Sequence, residues 1–147
     1  MNITPLLRAS CAVLCGLLLA AAHAADLHSP VGKWTTIDDK SGKPKSIVQI
    51  TESNGVLTGT IAELLEGASE KTCSKCAGDL KDQPLVGMKI LWDLKKEGDQ
   101  WADGKIFNPT DGGTYASKAQ LIDGGKTLQV TGSWLFIKRS QQWRRAD

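Results

Sequence analysis

Clusters of turn-forming residues divide the chain between Val31 and Arg145 into short runs. The clusters are Asp38–Pro44, Ser53-Asn54-Gly55, Lys95–Asp99, Asn108–Gly113 and Asp123–Lys126. Asn54-Gly55 is the strongest of them, because Asn-Gly accepts positive φ at both positions of a two-residue hairpin. The runs between are rich in β-branched and aromatic residues with period-2 alternation, and none offers a clean amphipathic helix. This spacing predicts strands at Val31–Asp38, Lys45–Glu52, Val56–Leu65, Val86–Leu94, Gln100–Phe107, Thr114–Ile122, Thr127–Trp134 and Arg139–Arg145, with Leu135–Lys138 as a short link. Consecutive strands joined by hairpins form an up-and-down meander. About eight strands is the usual number for a small closed barrel, and closure removes the unpaired edges of an open sheet. The expected fold is therefore all-β: an antiparallel up-and-down barrel of about eight strands, in one domain. An open β-sandwich is the alternative.

Met1–Ala24 stands apart from that pattern. Arg8 is its one basic residue, an apolar run extends from Ala9 to Ala22, and Ala22-His23-Ala24 fits a small-x-small cleavage site. The run is shorter than the ~18–20 residues of a spanning helix. These features predict a signal peptide over residues 1–24, a mature domain over residues 25–147, and a periplasmic or secreted product with no transmembrane segment in the mature chain. The mature chain keeps 17 basic and 16 acidic residues, a formal net charge of +1. No concentrated basic face is visible, so nucleic acid is not an expected partner. Lys138, Arg139, Arg144 and Arg145 give the C-terminal end a local basic character.

The two ends of the domain suggest how a barrel would close. Gly32-Lys33-Trp34 opens the first strand, and the indole can plug a barrel base while glycine admits neighbouring backbone. Trp143-Arg144-Arg145 ends the last strand, which an up-and-down barrel brings beside the first. One arginine there would cover the Trp34 ring as a cation–π pair. Adjacent residues point to opposite faces. Arg145 is thus the candidate if Trp143 faces the core, and Arg144 if Trp143 faces outward.

Chemistry-bearing residues are sparse. Cys73 and Cys76 form a Cys-x-x-Cys pair in the longest irregular segment, Glu66–Pro84. Loops this long are often functional or pinned. In an oxidising compartment the expected state is a structural disulfide shaping that loop. Redox exchange is the sharper alternative, but no helical pattern begins at the first cysteine to lower its pKa. His28 is the one histidine of the mature chain, so a Cys- and His-only tetrahedral metal site cannot be completed, and no metal or other cofactor is expected. No nucleophile elbow, phosphate loop or zinc-protease motif occurs, and no catalytic residue is assigned. Trp92, Trp101 and Tyr115 are candidates to line a ligand pocket, with core packing as their commoner role.

Several stretches carry a family resemblance: Gly32-Lys33-Trp34, Asp38–Lys43, Cys73-Ser74-Lys75-Cys76, Pro84–Leu91, Gly104–Pro109, Asp111–Tyr115 and Gln142-Trp143. Together they resemble the DUF2147 family of small exported bacterial domains of unknown function, across nearly all of the mature chain. That resemblance implies no activity, substrate or catalytic residue. Gly32-x-Trp34 with a late arginine also resembles the lipocalin-like barrels, and this implies a barrel for a small ligand, as an analogy of fold. The expected function is an exported, non-enzymatic domain holding a small, partly apolar molecule. An envelope structural, interaction or stress-related protein with a side-chain-filled barrel is the alternative, and a thiol–disulfide redox protein working through Cys73 and Cys76 comes third.

Overall fold

In the computed structural model, which describes residues 24–147, the turn clusters do what their chemistry dictates. The expected leader therefore lies, apart from Ala24, outside the described residues. Eight strands follow one another: β1 (Gly32–Ile37), β2 (Pro44–Ser53), β3 (Val56–Leu64), β4 (Lys89–Glu97), β5 (Gln100–Asn108), β6 (Gly113–Ile122), β7 (Thr127–Trp134) and β8 (Ile137–Arg145). Each pairs antiparallel with the next, and β1 pairs with β8 to close the barrel. The fold is thus the closed eight-stranded up-and-down barrel expected from the sequence, not the open sandwich.

Asn54 and Gly55 both take positive φ, at 51° and 77°, as their hairpin demands. Three strand boundaries differ from expectation by more than one residue. β4 begins at Lys89 rather than Val86, because Gly87 has φ 91° and Met88 N–H donates to Leu85 O in a turn. Its other end runs on through Lys95–Glu97, leaving only Gly98-Asp99 for the turn. β8 begins at Ile137, so the expected four-residue link is a two-residue turn, Leu135-Phe136.

The interior is apolar. Trp34, Val48, Ile50, Leu57, Leu91, Leu94, Leu128 and Trp143 are all at or below 1 % exposed. Outward positions such as Lys33, Thr51, Lys105 and Lys118 are exposed. This is the reverse of a membrane-spanning barrel, whose outer band is apolar and whose lumen is polar. No helix among the described residues is long and apolar enough to cross a membrane.

The topology gives the barrel two unlike ends. The β2–β3, β4–β5 and β6–β7 turns gather at one end with both chain termini. The β1–β2, β3–β4, β5–β6 and β7–β8 connections gather at the other. The long β3–β4 connection thus belongs to the second end.

Candidate functional site

The end that carries the termini is sealed. Trp34 is fully buried, and its indole Nε1 donates to Pro30 O at 2.8 Å. Arg145 pairs with Trp34 across the β1–β8 closure, so both side chains share the inner face. Its guanidinium lies 4.3 Å from the centre of the indole ring. Its Nε donates to Gly125 O at 2.9 Å, and its Nη2 donates to Ser29 O at 2.8 Å. One planar fork thereby ties the lead-in, the β6–β7 turn and the last strand to the plug, a geometry suited to arginine rather than lysine. Gly32, at φ 135°, leaves room for Asp147, whose carboxylate a Cβ at this position would meet. Trp143 is buried and Arg144 exposed, so strand phase selects Arg145 for the inner position.

The lower barrel above this plug is occupied by large apolar side chains. Val48, Ile50, Leu57, Leu91, Leu94, Trp101 and Leu128 are all buried. Trp101, opposite Ala119, carries Lys96 Nζ 3.9 Å over its ring. Towards the other end the inward side chains become smaller, with Thr36, Ser46 and Gly132 among them. There the barrel opens into a cavity of about 840 Å³. Ile61, Leu64, Leu85, Ile90, Ile106, Phe107, Val130 and Trp143 give it apolar walls. The volume falls in the ~300–1,000 Å³ range of small-molecule sites. The mouth carries both charge signs: Lys40, Lys45, Lys75 and Arg139 against Asp38, Asp39, Glu70 and Asp111. A rim so balanced favours neither strongly cationic nor strongly anionic occupants.

The β3–β4 connection supplies one wall. Cys73 and Cys76 are disulfide-bonded, with Cα atoms 5.3 Å apart, and both are buried. Around them the connection folds into a small hairpin of its own. Thr72 bridges Pro84, Cys73 N–H donates to Gln83 O at 2.9 Å, and Leu85 N–H donates to Lys71 O at 2.9 Å. Gly67 N–H donates to Pro44 O at 2.8 Å, which docks one side of the connection on the start of β2. The other side rests on the β5–β6 turn, where Cys73 Sγ lies 3.8 Å from Pro109 O. Gly112, at φ 76°, lets the Lys75 carbonyl approach where a Cβ would collide with it. Ala68, Ser69, Glu70, Lys75 and Leu85 then line the cavity from this connection.

A polar cluster stands at the mouth. The Asp111 carboxylate accepts from Gly113 N–H at 2.7 Å, Asn108 Nδ2 at 2.9 Å and the Tyr115 hydroxyl at 3.0 Å. The hydrogen bond to Asp111 raises the Tyr115 pKa above that of an ordinary phenol. Partial desolvation and the Asp111 charge add to the rise, and the positive charge of Arg139 opposes it. No group of three or more metal-ligating side chains is assembled among the described residues.

Of the three aromatic residues singled out in the sequence, Tyr115 lines the cavity and the other two do not. Trp101 belongs to the packed lower barrel. Trp92 lies on the outer surface, in a shallow groove with Leu80, Val86 and Met88, and Lys89 Nζ is 5.8 Å from its ring. The alternation expected of β4 is broken by register shifts against β3 and by Asp93 at φ 61°. That extra residue turns Trp92 outward while Leu91 and Leu94 stay inside. Ile106, Val130, Gly132 and Trp143 were not among the expected pocket residues. Their signal is the shift from large to small inward side chains along the strands.

The family described as an uncharacterized protein conserved in bacteria, DUF2147, matches residues 32–145. The chain belongs to the DUF2147 family. Its matched span runs from the first strand to the last, so the family's shared unit is the whole barrel. Protein HP1028 from Helicobacter pylori, described as belonging to the lipocalin family, has a similar structure. The two agree with a TM-score of 0.69 and 24% sequence identity, over 81% of this chain and 84% of that one. At that identity the likeness is one of fold, and it makes this DUF2147 member lipocalin-like in architecture. No significant match is found among curated proteins.

Proposed function

We propose that this DUF2147 chain is an exported, non-enzymatic carrier or sensor domain that binds one small, partly apolar molecule inside its barrel. The supporting observation is the division of the interior into a floor of large buried side chains and an apolar-walled cavity open at one end. A barrel evolved only as a scaffold would gain stability by filling that space, because voids forfeit packing contacts. The mixed rim and the Tyr115–Asp111 cluster would orient a polar end at the mouth while the walls take the apolar body. The signal-like Met1–Ala24 supports a periplasmic or secreted location. The cystine is read as a structural pin, since both sulfurs are buried and the one-turn helix nearby begins at Gly78, not at Cys73.

Titration with anilinonaphthalene sulfonate, an apolar fluorescent probe, tests this reading. Saturable enhancement is expected, and Gly132→Phe, which places a ring in the cavity, should abolish it while the fold is retained. Enhancement that is absent, or that Gly132→Phe leaves unchanged, overturns the cavity as a binding site.

A further inference from the structure

The β7–β8 turn presents the sequence Trp134-Leu135-Phe136-Ile137, and all four side chains are turned to solvent. Their exposures are 61 %, 75 %, 89 % and 56 %. A hairpin turn is ordinarily built from Gly, Asn or Asp. Here Leu135 occupies the left-handed region at φ 53°, which a leucine adopts only at a steric cost. No burial offsets that cost, so folding gives no reason for these residues. Scattered apolar residues on a surface are normal, whereas four consecutive ones on a protruding tip mark an interaction site.

We propose that this tip docks on the surface of an anionic lipid bilayer. Its shape and charge favour that occupant. A tip of four side chains falls short of the ~800 Å² per partner of a standard protein interface, but it suits shallow insertion among lipid headgroups. Trp134 stands at the base of the tip, where an indole prefers the headgroup level, and Phe136 stands at its apex. Lys138 and Arg139 follow directly, with no carboxylate between residues 132 and 140, and would pair with anionic headgroups. The Asp39 carboxylate approaches from the β1–β2 turn but accepts a hydrogen bond from Gln141 Nε2 at 2.9 Å. Trp134, Ile137 and Arg139 also line the cavity, so the docked tip stands beside the barrel mouth. The docking surface stands whether or not the cavity holds a molecule.

Co-sedimentation of the purified chain with vesicles tests the proposal. One set is phosphatidylglycerol and phosphatidylcholine in equal parts, and the other is phosphatidylcholine alone. The expected result is a bound fraction roughly tenfold higher on the anionic vesicles, falling as salt is raised. The double variant Leu135→Gly, Phe136→Ser should lower it roughly tenfold, because it removes the apolar apex. Glycine takes the φ of Leu135 without strain, so the hairpin is kept and the melting temperature should not fall. Absence of vesicle binding overturns the proposal, as does binding that the double variant leaves unchanged. A dimer that forms without vesicles and is lost in the double variant would also overturn it, since a second copy would then be the occupant.

Discussion

Replacing Arg145 with alanine should destabilise the barrel by about 3 kcal/mol. The side chain is 5 % exposed, so its bonds are protected from water. Two are short, to Gly125 O at 2.9 Å and Ser29 O at 2.8 Å. Hydrogen bonds to a charged group contribute ~1.5–3 kcal/mol each. The contacts to Asp26 O and Val31 O, both at 3.4 Å, are long, and the pair with half-exposed Asp147 at 3.6 Å adds little. Stacking on Trp34 adds ~0.5–2 kcal/mol. These terms are not additive, because the lead-in is released as a unit and its carbonyls rehydrate, so a figure just below the low end of the sum is the better one. Arg145→Lys keeps the charge but loses the fork, and about half the loss is expected. Arg144→Ala, on the outer face, should change stability by less than about 0.5 kcal/mol. Urea unfolding followed by tryptophan fluorescence reads all three variants, with an unchanged m-value as the check that unfolding exposes the same surface. A loss below about 1 kcal/mol for Arg145→Ala would refute the reasoning, and so would full retention of stability in Arg145→Lys.

Tyr115 is the single tyrosine of the chain, so a phenolate absorbance titration reads it alone. Its midpoint should lie above the usual ~10 and fall toward that value in Asp111→Asn. Because the folded-state pKa is raised, the stability this pair contributes is present below the unfolded pKa and lost as pH rises through the folded one. Cys73→Ser with Cys76→Ser should cost less than the ~3 kcal/mol of a 15-residue loop. The same variant should weaken probe binding through a loosened cavity wall, and the wild type should show no turnover in an insulin-reduction assay. Trp34→Ala should cost about 3–5 kcal/mol as a buried large-to-small change, and a loss under about 1 kcal/mol in denaturant would mean that the indole does not seal the barrel.

The strands were legible because their signals are local. Asn54-Gly55 and Asp123-Gly124-Gly125 specify turns whatever lies elsewhere, and alternation such as Leu128/Val130 fixes the inner face of a strand. Trp34 could be placed in advance beside the Arg144-Arg145 end, since closure of a meander makes the first and last strands neighbours, but the choice of Arg145 over Arg144 waited on the burial of Trp143. Trp92 shows where this reasoning stops. Its direction depends on Asp93 entering the left-handed region, and an aspartate inside a strand does not announce that conformation. The cavity was illegible for a different reason. Its depth depends on Thr36, Ser46 and Gly132 facing one space from separate strands, which follows from register rather than from any one segment. The apolar tip was visible in the sequence as Trp134-Leu135-Phe136-Ile137, but its exposure depended on the turn being only two residues long.

Native mass spectrometry of the chain, expressed with its leader and purified gently from the exported fraction, tests the ligand-binding barrel most directly. The expected spectrum shows the chain beginning at Ala25 with one added small-molecule mass, released on activation and absent from Gly132→Phe. A spectrum of the bare chain alone, unchanged after incubation with a lipid extract of the same cells, would contradict it.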